Sequence, residues 1–144
     1  MLPIMDKTLR KSLLYFHHGI SLNELSSESR GLPIDLKEFV MLKCESFLSL
    51  WKALTTIIGD QSKGNKVKKR CELLGITEDY YRSKIRPLRL VRNNKDIAHY
   101  DLEAASAEDI GSSIGEIIQV TRDAISSYVI YRKSTGSSFD DSVI

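Results

Sequence analysis

The chain has 144 residues, 42% hydrophobic and 28% charged, with a net charge of +2, which suits one sizeable core and is too short for two. Cys44 and Cys71 are its two cysteines and form no CxxC, which excludes a zinc framework or a disulfide scaffold and points to a reducing, cytoplasmic setting. No stretch is long enough to span a bilayer, and Leu13 to Phe16, behind Lys7, Arg10 and Lys11, is too short for a signal-peptide core, so neither membrane contact nor targeting is expected.

The predicted elements are helices throughout. Residues 5–18 form a short amphipathic helix through Leu9, Leu13 and Phe16, followed by a Ser-rich connector from Ser21 to Gly31. After Pro33, Asp35 caps a longer helix, with Glu38 three positions on. Its buried face runs through Leu36, Phe39, Val40, Phe47, Leu50, Trp51, Leu54 and Ile58 until Gly59 stops it. A third helix covers residues 65–74 and ends at Gly75, after which Thr77 caps the next. Pro87 interrupts that helix, because it lacks a donor and crowds the preceding turn. A kink near 83–87, or a fresh start with Pro87 at the first helical position, is expected.

The last helix opens with Ser106 as cap and Asp109 three later. It carries Ile110, Ile114, Ile117, Thr121, Ala124, Ile125, Tyr128 and Val129 inward. Ala107, Gly111 and Gly115 form a small-residue edge suited to close helix packing within the bundle. Period-two alternation is never sustained, so the fold class is all-α, a bundle of four to five helices. Residues 1–133 read as one domain and 134–144 as a mobile tail.

Charge is unevenly placed. Residues 63–95 hold eleven Lys/Arg against three Asp/Glu, a local +8 that leaves −6 for the rest. Lys68, Lys69, Arg70, Arg89 and Lys95 within this stretch are candidate contacts to an RNA phosphate backbone.

Inside the basic stretch lies RNNKDIAHYD, in which Arg92 and His99 stand seven residues apart. Seven steps of about 100° fall some 20° short of two turns, so both side chains leave one face of a helix. Tyr81, Ile85 and Leu88 share that stripe, which Arg92, Lys95 and His99 continue. Leu90 points nearly the other way, which suits a central bundle helix that also meets a partner chain. A guanidinium binds phosphate oxygens and an imidazole moves protons near neutrality, so the pair suits attack on a phosphodiester without a metal or other cofactor. The structural alternative is an Arg92–Asp96 pair one turn apart, worth roughly 0.2–0.5 kcal/mol.

Arg92, the polar Asn93 after it, a short spacer and Ile97-Ala98-His99, with six residues between the Arg and the His, resemble the signature of the HEPN superfamily, and the continuation through Asp101 resembles the HEPN domains of bacterial abortive-infection proteins. The resemblance covers most of residues 1–133. It implies an all-helical domain that dimerises by apposing its motif helices and cleaves RNA in the shared cleft without a metal, in phage defence or as a toxin. Arg92 and His99 would be the catalytic pair, with Asn93 beside them and the ribose 2′-hydroxyl as nucleophile. An antitoxin or defence-system protein would be a further partner. Some HEPN toxins carry a Tyr two positions after the His as a target of nucleotidyl transfer. Here Tyr100 follows at once and Leu102 takes the second position, which argues against that regulation. The alternative is a non-catalytic HEPN-like module that binds RNA or protein.

Other patterns fail on inspection. GDQSKGNK, from Gly59, has P-loop-like glycine spacing but Asn65 where the phosphate-binding Lys belongs. His17 and His18 splay about 100° apart on a helix, with no ligand cluster to complete a metal site.

Overall fold

The computed structural model describes residues 6–28, 36–93 and 104–140, and among them the regular structure is entirely helical, with no strand. Five helices follow in chain order. They are α1 (Lys7–Glu28), α2 (Leu36–Ile58), α3 (Gly64–Leu74), α4 (residues 78–92) and α5 (Ala104–Thr135). None is long and apolar enough to cross a membrane.

The centre of the bundle is α2. Cys44, Phe47, Leu50, Ala53, Leu54, Ile57 and Ile58 have no exposed surface, and at 100° per residue they occupy about half the helix circumference. They meet Ile114, Ile117, Val120, Ala124 and Tyr128 of α5. Of the expected motif helix, the part through Arg92 is described. Only Ile85 and Leu88 of α4 are buried and Leu90 is 68% exposed, so α4 flanks the core.

Helix α1 runs ten residues beyond its expected end, through the segment read as a connector. The reason is tertiary. Small residues line its seam with α2, and buried serines bond across it. Ser12 Oγ donates to the Ala53 carbonyl at 2.7 Å, Ser49 Oγ to Tyr15 at 2.9 Å and Ser46 Oγ to Gly19 at 2.7 Å, which fixes an antiparallel pairing. A Cβ on Gly19 would stand 2.6 Å from Leu50 Cγ, so the approach of the two backbones there requires glycine.

The punctuation of the middle of the chain is local. Gly59 and Gly75 have φ of 103° and 75°, the left-handed region that favours glycine. Thr77 accepts from the Tyr80 N–H at 3.1 Å and so caps α4. The expected disturbance at Pro87 takes the form of a π-helical turn over Tyr81–Ile85, after which Arg86–Arg92 continues as α-helix with Pro87 in its first turn. The wider turn removes the need for a donor at Pro87.

Two expectations for α5 change. The helix already includes Ala104, so Ser106 lies inside it and is not its cap. At Gly111 and Gly115 an added Cβ would meet no atom within 4 Å, so the described helices leave that edge open. The Asp35 cap lies outside the described residues.

The segment expected to be a mobile tail packs over its first part. α5 continues to Thr135, Gly136 turns at φ 70°, and Phe139 is buried with its ring 4.6 Å from that of Tyr128 and 5.3 Å from that of Tyr131. Asp140 caps α1, accepting from the Lys7 N–H at 2.6 Å and the Thr8 N–H at 2.9 Å. Asp6 gathers the other polar groups. It accepts from Arg132 Nη1 at 2.7 Å, Ser138 Oγ at 2.9 Å, the Leu9 N–H at 2.7 Å and the Tyr128 hydroxyl. Burial alone would raise the Asp6 pKa. The four hydrogen bonds outweigh it and hold the carboxyl below its ordinary value.

Candidate nucleic-acid interface

Arg92 closes α4, with Asn93 as its C-cap, the Asn93 N–H donating to the Arg89 carbonyl at 2.9 Å. Both residues line a cleft of about 820 Å³ walled by α1, α2 and α4. Among the described residues six cations, Lys7, Lys11, Lys52, Arg70, Arg89 and Arg92, border it, against the single carboxylate of Asp60. None of the six makes an ion pair among the described residues. A cluster of like charges with low-dielectric walls focuses its field outward, so the cleft attracts polyanions.

Arg70 is the most firmly held of the six. Its Nη1 donates to the carbonyls of Thr56 and Ile57, both at 3.3 Å, and its guanidinium lies 4.6 Å from the centre of the Phe139 ring. Its Nε is buried without a partner. Burial pushes its pKa down, partly offset by Tyr128 and Asp140, and an arginine remains charged under such a shift. Nearby, the Tyr81 hydroxyl donates to Gln61 Oε1, tying α4 to the loop before α3.

A second lobe of about 560 Å³ opens beyond the first, and Tyr15, Trp51, Lys52, Thr55 and Arg92 border both. His18 and Glu45 line only the second. His17 is exposed beside His18, and no group of three possible metal ligands occurs among the described residues. Burial pushes the thiols of Cys44 and Cys71 up to about 11, so neither offers a thiolate near neutrality.

Of the residues singled out in the sequence, Arg92, Asn93, Arg89 and Arg70 meet in this cleft. Lys68 borders a separate depression between α3 and α4, and Lys69 is exposed on α3 away from both. Lys95 and His99 lie outside the described residues. Lys7, Lys11 and Lys52 were missed. A signal for two of them existed, since Lys7, Lys11, Tyr15 and His18 recur at four- and three-residue steps along α1 and make a polar stripe.

Compared with protein-family models, with curated proteins and with solved structures, the chain matches none.

Proposed function

We propose that the protein binds RNA in the cationic cleft and cleaves it as a metal-independent endoribonuclease of HEPN type. The supporting observation is the surplus, among the described residues, of six cations over one carboxylate around Arg92, contributed by helices far apart in sequence. On this reading Arg92 holds the scissile phosphate and stabilises charge as it develops. His99, seven positions on, moves the proton of the ribose 2′-hydroxyl, and Asn93 orients the substrate or the neighbouring guanidinium. A homodimer would complete the cleft, in a cytoplasmic phage-defence or toxin setting with an antitoxin or defence-system protein as partner.

One observation favours a second reading, an RNA-binding module without cleavage. The described residues of the first lobe are chiefly phosphate binders, and their one carboxylate, Asp60, is already engaged, accepting from the Ser62 N–H and from Ser62 Oγ, both at 2.9 Å. The two separate in one experiment, in which a mixed RNA pool is incubated in EDTA with the parent, Arg92→Ala and His99→Ala proteins, each confirmed as folded. Cleavage by the parent alone establishes the ribonuclease. Intact RNA that all but the Arg92→Ala protein bind tightly establishes the binding module.

A further inference from the structure

We infer that the second lobe of the cleft is a guanine pocket, so that the RNA this protein takes is single-stranded, with an unpaired guanine beside the phosphate at Arg92. This rests on the RNA reading above.

The two lobes differ in charge. Cations of the second lobe, Lys52 and Arg92, stand at its junction with the first, and beyond them the lobe carries the carboxylate of Glu45 and the imidazole of His18. A carboxylate repels phosphate, so an RNA backbone held in the first lobe does not continue along this wall. What the wall accepts is a neutral group rich in N–H donors. Leu48 and Trp51, the latter 7% exposed, give it an apolar floor. Tyr15 is half-buried, with Lys52 Nζ 5.7 Å from its ring centre. An aromatic ring beside a cation is the arrangement that seats a base and its phosphate together.

Spacing agrees. Glu45 and Lys52 are seven residues apart on α2, hence on one face and about 10 Å apart along the axis. A phosphate at the Lys52 end therefore places the edge of its base toward Glu45. No hydrogen bond or ion pair occupies the Glu45 carboxylate among the described residues. Ser49 is already committed to the Tyr15 carbonyl. Of the four RNA bases, guanine alone sets two N–H donors side by side on its Watson–Crick edge, matching two carboxylate oxygens. Uracil presents there a single N–H between two carbonyls, and the carbonyls repel the second carboxylate oxygen. That edge is free only in an unpaired strand.

The test uses 2′-O-methyl octanucleotides, which bind without being cleaved, read by fluorescence anisotropy. One is all U, one carries a single central G, and one pairs that G within a hairpin. The parent is expected to bind the G strand about tenfold more tightly than all-U. Glu45→Gln, with Glu45→Ala as a second variant and both checked for parental helicity, should lose that preference while binding all-U as well as before or better. Tyr15→Ala should weaken both strands about tenfold. Salt-sensitive binding with no G preference, a preference that survives in both Glu45 variants, or a hairpin bound as tightly as the open strand would each overturn the guanine pocket alone. A folded parent that binds none of the three overturns the RNA reading and the pocket with it.

Discussion

The region around Asp6 and the region around Arg92 are built from similar groups and balanced in opposite ways. At Asp6 one carboxylate meets an arginine, a tyrosine, a serine and a backbone N–H, so each charge and donor is answered within the protein. At Arg92, among the described residues, six cations crowd one carboxylate and none of the six forms an ion pair. A buried polar group costs stability unless it is satisfied internally. The first cluster therefore belongs to the fold, and on the reading proposed above the second takes its counter-charge from a bound RNA.

Substitutions can break this contrast. Asp6→Ala removes the acceptor of a largely enclosed ion pair, the side chains of Asp6 and Arg132 being 6% and 17% exposed. It should lower stability by about 3 kcal/mol in urea unfolding and leave RNA affinity little changed. The same carboxyl carries a pH signature. Its pKa is depressed in the folded state, so its stabilisation is present above the unfolded value of about 3.9. It is lost as pH falls through the folded value. Acid titration of the Asp6→Ala protein should lack that component of the decline.

Arg92→Ala should do the reverse, lowering RNA affinity about tenfold, or about 1.4 kcal/mol, with stability within about 0.5 kcal/mol of the parent. A large stability loss there would place Arg92 with the fold. Smallest in effect, Lys11→Ala should lower the slope of log affinity against log salt by about one unit, measured on one RNA at several salt concentrations. An unchanged slope would remove α1 from the cleft.

The features legible in the sequence are those set by local chemistry. Glycines of positive φ, the Thr77 cap and the proline at 87 act within a few residues, and the apolar period of α2 needs no partner to be read. What escaped depends on residues far apart. Ser12, Ser46 and Ser49 look like ordinary polar residues until a second helix brings carbonyls to them. Phe139 lies in a string of Ser, Gly and Asp and is buried only because Tyr128, Tyr131 and Arg70 surround it. The cleft divides the same way. Arg89, Arg92 and Asn93 cluster in sequence, whereas Lys7, Lys11 and Lys52 join them only through the α1–α2 pairing.

The bonds of Asp6 to Arg132 and Ser138, and of Asp140 to Lys7 and Thr8, link residues more than 120 positions apart. Closing so long a loop from an open chain costs about 4 kcal/mol in entropy by the (3/2)RT ln n scaling. The cost falls once α2 and α5 have packed and brought the two segments together. A substitution that loosens the packing of α2 on α5 therefore weakens the clasp as well, because the loop it closes lengthens again toward that of the open chain. Arg70, seated on Phe139 and held by the Thr56 and Ile57 carbonyls, ties that long-range clasp to the last turn of α2.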